Sequence, residues 1–226
     1  PPFEMIQSTP RVPLPLGVRW ESPAGFDDGG FVYSVQGGGV LQVTGDSKET
    51  LVFRGQTADG TVVTKSFTFS GALYPIEMEI SAKAASGAPI PAVMITAKPD
   101  HTLPNHDAPF EGFIALIDNK IKREAHDAAA QGLEFSGNVS WAGFGYTYFF
   151  FGLVPDDGAG HKAAVRQDGT ALVLAINGST GTERATLFIG PKELDTLKAV
   201  GKGLERAIDF GYFGFVSIPF LYVLHF

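Results

Sequence analysis

Residues 61–69 read TVVTKSFTF, and this alternating stretch decides the class of fold. Successive side chains of a β-strand point to opposite faces, so a period of two separates a core face from a solvent face. One face carries Val63, Lys65, Phe67 and Phe69, and the other carries Val62, Thr64, Ser66 and Thr68. We predict a strand over 61–70 whose first face points into a core.

The flanking residues extend this strand into a larger antiparallel unit. Asp59-Gly60 separates it from a β-rich run at 49–56, and an Asp-Gly pair is a strong hairpin signal. Residues 73–83 alternate again, with Ile76, Met78 and Ile80 on one face. These three runs are therefore expected to be neighbouring strands of one sheet.

Short strand patterns recur along the chain, and no convincing helix precedes residue 191. They number roughly a dozen, at a spacing typical of a sandwich, and the further ones cover 31–35, 90–97, 113–117, 120–124, 141–143, 148–155, 162–166, 171–176 and 182–189. Three consecutive phenylalanines at 149–151 predict a strand covered on both faces. The sequence predicts an all-β protein with two large antiparallel sheets packed face to face.

Composition narrows the possible functions. The 28 glycines and 15 prolines favour a turn-rich β protein. A net charge of −7 and a pI near 5.2 argue against nucleic-acid binding and against electrostatic attraction to anionic lipid. The absence of cysteine excludes disulfides and thiol chemistry. Because the chain opens on Pro1-Pro2, we interpret it as a piece of a longer protein.

The C-terminal part changes character after Gly190-Pro191. Proline is favoured at a first helical position, and Leu194, Leu197 and Val200 recur three positions apart, as on one helix face. Gly201 follows, as glycine does at a helix end. These signals predict a helix over 191–200.

A second helical segment is predicted from about Leu204, and it leads into an apolar run. Residues 210–226 contain no Asp, Glu, Lys or Arg. Such a run is typical of a segment at or entering a bilayer, and it is also compatible with a C-terminal helix packed on the core. The residues alone leave both interpretations open.

Several motifs resemble the periplasmic domain of the YidC family of bacterial membrane protein insertases. They are GPKE at 190–193, DFGY at 209–212, FVSIPF at 215–220 and the tryptophan-glycine and Tyr-Phe strands of 141–155. Phe210 and Tyr212 replace the family's usual Tyr and Trp, with aromatic character kept. The order and spacing of these pieces make the resemblance specific.

The resemblance implies a fold and a boundary. The family's domain is a large β-sandwich, or supersandwich, of galactose-mutarotase type with C-terminal α-helices. It implies a sandwich over 1–190 whose first strands lie upstream. It also implies a helical segment over 191–226 that leads to the second transmembrane helix.

The resemblance also implies a role. The whole protein would be an insertase and chaperone in the bacterial inner membrane. This domain would lie in the periplasm and would be non-catalytic, without cofactor or metal. The implied partners are the Sec translocon accessory proteins, nascent membrane proteins and the membrane itself. The expected membrane or partner interface consists of Leu194, Leu197, Phe210, Tyr212, Phe213, Phe215, Ile218, Pro219 and Phe220.

The sequence leaves two other functions open: a sugar-binding or mutarotase-like domain, and a domain that binds extended peptides at its strand edges. Asp100, His101, His106 and Asp107 lie close enough in sequence to hold a divalent ion or to act as acid and base in a mutarotase-like site, although a solvated loop has the same composition. A sugar-binding domain would stack its ligand on exposed aromatic rings, for which Trp20, Trp141, Tyr33, Tyr74, Tyr146 and Tyr148 are the candidates. Exposed strand edges could instead bind extended peptides. Asp156-Asp157 fits a solvated turn, and neither His161 nor Ser140 has a sequence-visible partner.

Overall fold

The computed structural model describes residues 15–20, 26–28, 31–36, 40–57, 60–71, 74–83, 91–97, 110–157, 161–168, 171–177 and 181–209. Strands dominate this part of the chain. They are β1 (Val18–Trp20), β2 (Phe26–Asp27), β3 (Ser34–Gln36), β4 (Lys48–Gln56), β5 (Val62–Ser70), β6 (Ile76–Lys83), β7 (Pro91–Ala97), β8 (Gly112–Ile117), β9 (Lys120–Ala125), β10 (Leu133–Gly137), β11 (Val139–Gly145), β12 (Phe149–Pro155), β13 (His161–Asp168), β14 (Ala171–Asn177) and β15 (Thr182–Pro191).

The strands form two antiparallel sheets. The small sheet has the order β10-β13-β14-β7-β1-β2, and the large sheet has the order β3-β4-β5-β6-β15-β12-β11-β8-β9. The helices are α1 (His126–Ala130), α2 (Leu194–Val200) and a short 3-10 helix, Leu204–Ala207. The predicted all-β sandwich is confirmed.

The predicted central strands lie side by side in the large sheet. β5 pairs with β4 and β6, and Phe67 stands opposite Leu51 on one side and Met78 on the other. Val63, Lys65 and Phe67 are buried, whereas the intervening side chains are only partly covered. The predicted faces are therefore correct, because a period of two is fixed locally by the extended backbone.

The main core lies between the two sheets. The large sheet contributes Ile80, Phe151 and Leu153, and the small sheet contributes Leu174 and Ile176, all nearly or fully buried. Phe113 of β8 stacks on Phe135 of β10 with ring centroids 5.4 Å apart. Apolar burial of this kind is the main stabilising term of a sandwich.

One half of the large sheet is buried on both faces, as the three phenylalanines predicted. Phe151 points into the main core, whereas Phe150 points to the opposite face and belongs to a second buried cluster. Ile114 and Leu116 of β8 also belong to the second cluster. This outer face needs a cover, and the C-terminal residues provide it.

The structure corrects three local predictions. Pro191 is the last residue of β15, opposite Phe149, and α2 begins only at Leu194. The segment from Leu204 forms a single 3-10 turn. The strand β10 was not predicted, because Leu133 and Phe135 give it only two apolar side chains.

Other local predictions are confirmed. The strands predicted at 113–117 and 120–124 are β8 and β9, and their hairpin turns at Asp118 and Asn119, which have φ values of 48° and 60°. The helical turn α1 connects β9 to β10. No helix within the described ranges is long and apolar enough to cross a bilayer.

Candidate functional site on the outer face of the large sheet

The outer face of the large sheet is covered by residues 194–209, which we call the helical cap. Leu197, Leu204 and Ala207 are fully buried in the same cluster as Trp141 and Phe150. The Trp141 ring meets the Phe150 ring edge-on, with centroids 5.6 Å apart. Fully burying one leucine side chain stabilises a fold by about 1.5–3 kcal/mol, so the cap is an integral layer of the domain.

This packing assigns Leu197 a role different from the predicted one. Leu197 is fully buried under the cap, so it holds the helix on the sheet and is not an exposed interface residue. Leu194 is half-buried at the start of α2, and its part in an interface stays a prediction. The other predicted interface residues lie outside the described residues: Phe210, Tyr212, Phe213, Phe215, Ile218, Pro219 and Phe220.

Polar contacts fix both ends of α2. The backbone N–H of Leu197 donates to the carbonyl of Glu193 at 2.9 Å, and Thr196 Oγ1 donates to Glu193 Oε2 at 2.8 Å. Gly201 ends the helix at φ 82°, a backbone region that favours glycine. Lys202 Nζ then donates to the carbonyls of Pro155, at 3.0 Å, and Asp156. These bonds tie residues 201–203, which connect α2 to the 3-10 helix, to the end of β12.

The last described residues are tied to the β8–β9 hairpin by a group we call the exit clamp: Asn119, Arg123, Arg206 and Asp209. Arg206 Nη1 donates to Asn119 Oδ1 at 2.8 Å, and Arg123 Nη2 donates to the Arg206 carbonyl at 3.2 Å. Arg123 Nε lies 4.0 Å from Asp209 Oδ2. The clamp fixes the position of the last described residues, which directly precede the apolar run 210–226 in the sequence.

Lys192 lies half-buried at the junction of β15 and the cap. Burial lowers the pKa of Lys192, the carboxylates of Glu111 and Asp209 oppose this shift, and the cationic Arg123 adds to it. Glu111 is itself held by Thr147, whose backbone N–H and hydroxyl donate to Glu111 Oε1 at 2.8 and 2.5 Å. This arrangement balances charge under the cap.

The other half of the outer face is open and polar. A groove of about 520 Å³ lies over β5, β6 and β15, lined by Ser66, Thr68, Glu77, Met78, Glu79, Asp156, Arg184, Ala185 and Thr186. Arg184 Nε pairs with Glu79 Oε2 at 2.7 Å, and Lys48 Nζ pairs with Glu77 Oε1 at 2.6 Å. Hydroxyl, carboxylate and guanidinium groups at this groove suit a polar ligand, although no aromatic ring is among its lining residues.

A buried polar cluster joins the two sheets. Lys65 forms an ion pair with Asp28, and its Nζ also donates to the Leu16 carbonyl at 2.7 Å. Asp28 further accepts bonds from the Val18 N–H at 2.8 Å and from the Tyr33 hydroxyl at 2.5 Å. Burial raises the pKa of Tyr33, with Asp28 adding to the shift, and burial lowers the pKa of Lys65. In the sequence, Lys65 on the apolar face of its strand was the only signal of this cluster.

The structure also gives His161 a partner that the sequence did not reveal. His161 Nε2 lies 2.8 Å from Glu183 Oε1, and both side chains are buried. His161 belongs to β13 and Glu183 to β15, so this contact links the two sheets. A buried pair of this kind fits a structural role in the sandwich.

The predicted sugar-binding aromatics that the structure describes differ in burial and do not form one exposed platform. Trp141 is fully buried and Tyr146 nearly so, whereas Tyr74 and Tyr148 are exposed. Tyr33 is half-buried and bound to Asp28, and the side chain of Trp20 lies outside the description. Asp100, His101, His106 and Asp107 also lie outside the described residues. Among the described side chains, no group of three or more His, Cys, Asp or Glu is arranged to hold a metal.

The fold has a counterpart among solved structures. The GH36 α-galactosidase AgaB from Geobacillus stearothermophilus superposes with a TM-score of 0.51 at 13% identity, covering 80% of this chain and 30% of the enzyme. At this identity the likeness shows the fold alone. The protein is thus a β-sandwich domain of the kind present in an α-galactosidase, with a helical cap on its large sheet.

Sequence comparison gives the family. The family model of the YidC periplasmic domain matches residues 1–223, and the chain belongs to this family. Curated proteins named membrane protein insertase YidC are similar: 32% identity in Geobacter metallireducens over 80% of the chain, 28% in Pelobacter propionicus over 82%, and 26% in Syntrophus aciditrophicus over 100%. The chain spans 36–44% of the lengths of these relatives.

Proposed function

We propose that this domain is the non-catalytic periplasmic scaffold of a membrane protein insertase in the bacterial inner membrane. It holds a rigid sandwich beside the point at which the chain turns toward the bilayer. Transfer of an apolar segment from water into lipid is favourable, so an insertase needs a path and no nucleotide. The domain therefore contributes a surface for partners and sets the place at which the chain turns toward the bilayer.

The observation that carries this proposal is the exit clamp. Arg206 is bound to Asn119, and Asp209 lies near Arg123, directly before the charge-free run 210–226. An apolar run that starts beside a fixed charged cluster is suited to entering the interface at a defined place. The family membership supports the same assignment.

The proposed partners follow from the family. Nascent membrane proteins are the clients, and the accessory proteins of the Sec translocon are the neighbours in the membrane. The membrane contact is assigned to the run that contains Phe210, Tyr212, Phe213, Phe215 and Phe220. We propose that the strands of the sandwich occupy 1–190 and that the helical segment occupies 191–226, with the helical cap of this segment packed on the large sheet.

A truncation tests the proposal, and the structure determines where to cut. Leu204 and Ala207 are fully buried in the cap, so the chain should be cut after Asp209 and not before Leu204. The chain 1–209 should unfold at the same temperature as 1–226 but no longer float with phosphatidylcholine vesicles. Equal flotation of both chains, or flotation of neither, would overturn the proposal.

A second candidate function is sugar binding, which the polar groove favours. Glu77, Glu79 and Arg184 can bond ligand hydroxyls, and Ser66, Thr68 and Thr186 add hydroxyl groups at the same groove. A glycan array with the 226-residue chain tests it, with Arg184→Ala as the groove variant and Arg166→Ala as the control. Glycan binding that R184A abolishes and R166A retains would establish this function in place of a purely scaffolding role.

A further inference from the structure

The strand β3 forms an edge of the large sheet that carries no charged side chain. It pairs with β4 alone within the described residues, and residues 29–45, which contain it, include no Asp, Glu, Lys, Arg or His. At the opposite edge of the same sheet, β9 exposes Lys120 and Lys122. Charged side chains normally protect an edge strand from pairing with another chain, so β9 is protected and β3 is not.

The two edge strands of the small sheet differ from β3, because each contains an acidic residue. The edge strand β10 exposes Glu134, and the residue after it, Asn138, donates its N–H to Asp118 Oδ1 at 2.9 Å. The edge strand β2 has two residues, and one of them is Asp27. An acidic edge disfavours the addition of an apolar strand. In the part of the sandwich that the structure describes, β3 is therefore the open apolar edge.

Exposed valines mark this edge. Val32, Val35 and Val40 are 93%, 51% and 88% exposed. Val35 lies within β3, and the other two lie on either side of β3 in the sequence. Single exposed apolar residues are ordinary, but a group of them at one sheet edge marks an interaction surface.

Val35 is the outer end of a row of side chains that leads into the main core. It stands opposite Phe53 of β4, and Phe53 stands opposite Lys65 of β5. The half-buried Phe53 ring meets the Phe67 ring edge-on, with centroids 5.9 Å apart. A strand added to β3 would place a side chain beside Val35 and bury it, which extends the row and removes apolar surface from water.

The backbone of β3 supplies the remaining contacts. It pairs antiparallel with β4 from Ser34 opposite Arg54 to Gln36 opposite Val52. Alternate residues of such a strand direct their N–H and C=O groups to one neighbour, and the others direct theirs toward the open side. An extended peptide can bond to these outward groups, and its alternate side chains then reach the face that carries Val35.

We propose that β3 binds an extended, uncharged segment of a nascent membrane protein by strand addition. The uncharged edge suits an apolar segment, because a charged side chain beside Val35 and Phe53 would lose water without gaining a partner. Segments that enter a membrane are apolar and carry few charges. The identity of the client rests on the proposed function, whereas the strand addition rests on the edge alone.

The test is binding of a labelled peptide to the 226-residue chain without vesicles. The probe is a capped heptapeptide that alternates valine and threonine. Its control carries N-methyl groups on its backbone amides, which then cannot donate hydrogen bonds. Fluorescence anisotropy should show binding of the probe, and the methylated control should bind at least about tenfold more weakly.

Hydrogen exchange gives the location of the bound peptide. At a peptide concentration about ten times the Kd, exchange at the outward amides of Ser34–Gln36 should slow about tenfold. Exchange at the amides of β9, the charged edge of the same sheet, should stay unchanged.

Two matched substitutions assign the binding to β3. Val35→Lys places a charge in the edge strand and should weaken peptide binding about tenfold or more. Val40→Lys makes the same change outside β3 and should leave the binding unchanged. The milder Val35→Thr keeps a β-branched side chain and should weaken binding less, and thermal unfolding should show that all variants fold.

The outcomes separate this proposal from its alternatives. Equal binding of the methylated peptide, equal loss in V35K and V40K, or unchanged exchange on β3 overturns strand addition. A dimer of the peptide-free chain that V35K dissociates, measured by analytical ultracentrifugation, assigns the edge to a second copy instead. Peptide binding without flotation of the chain on vesicles upholds the edge and overturns the membrane contact proposed above, and flotation without peptide binding does the reverse.

Discussion

Arg206 donates a hydrogen bond of 2.8 Å from Nη1 to Oδ1 of Asn119, a residue 87 positions earlier in the chain. Asn119 adopts a φ of 60°, which asparagine tolerates better than most residues. The same residue therefore closes the β8–β9 turn and holds the end of the helical cap. This contact joins the sandwich to the last described residues, directly before the apolar run 210–226.

Removing this contact should loosen the end of the cap without unfolding the sandwich. Arg206→Ala is expected to lower the free energy of unfolding by about 1 kcal/mol, the usual net value of a hydrogen bond. Hydrogen exchange should accelerate at the amide of Ile208, which bonds to the carbonyl of Glu205. Arg166→Ala, at an exposed position of β13, is the control and should leave that exchange rate unchanged.

Leu197 should contribute far more to stability than Leu194. Leu197→Ala leaves a cavity between α2 and the sheet, and we expect a loss of about 2–5 kcal/mol in the free energy of unfolding, measured with urea. Leu194→Ala is the matched control, since Leu194 is half-buried and should lose clearly less. Equal losses would contradict the packing of the cap described above.

The ion pair between Asp28 and Lys65 should be costly to break. Asp28→Asn leaves the buried Lys65 ammonium without its carboxylate, and we expect a loss of about 3 kcal/mol in the free energy of unfolding. Asp46→Asn, in an exposed turn, should change stability by less than about 0.5 kcal/mol. A loss no larger than that of the control would show that the pair does not stabilise the junction of the sheets.

Tyr33 should make the protein sensitive to alkali. Its pKa is raised in the folded state by burial and by Asp28, so the unfolded chain loses this proton first, near pH 10. The stability from Tyr33 is thus fully present below about pH 10 and declines as the pH rises toward the folded-state pKa. Burial lowers the pKa of Lys65, which acts in the opposite direction, so the wild type must be compared with a variant.

Tyr33→Phe isolates this effect. It keeps the ring near Lys65 and removes the ionisable hydroxyl. Above about pH 10, the free energy of unfolding of the wild type should fall more steeply than that of Tyr33→Phe, by at most about 1.4 kcal/mol per pH unit and less because of solvent screening. Parallel pH profiles in urea denaturation would show that the hydroxyl does not titrate differently on folding.

The sequence by itself determined the features that depend on near neighbours. The alternation at 61–69 fixed which side chains of β5 face the core, because the two-residue period of a strand is a property of the backbone. The strand patterns at 113–117 and 120–124 leave only Asp118 and Asn119 between them, and these are residue types that tolerate the positive φ of a two-residue hairpin turn. The phenylalanines at 149–151 predicted a strand buried on both sides, although not what would cover it.

Only the tertiary structure decided the contacts between distant residues. Pro191 suits the first turn of a helix and the end of a strand equally well, and its pairing position opposite Phe149 made it the end of β15. The partners of Arg206, Lys65 and His161 are Asn119, Asp28 and Glu183, and no local pattern marks them. Such pairs form because packing the two sheets and the cap places these side chains together, and a buried charge or donor is stable only where a partner meets it.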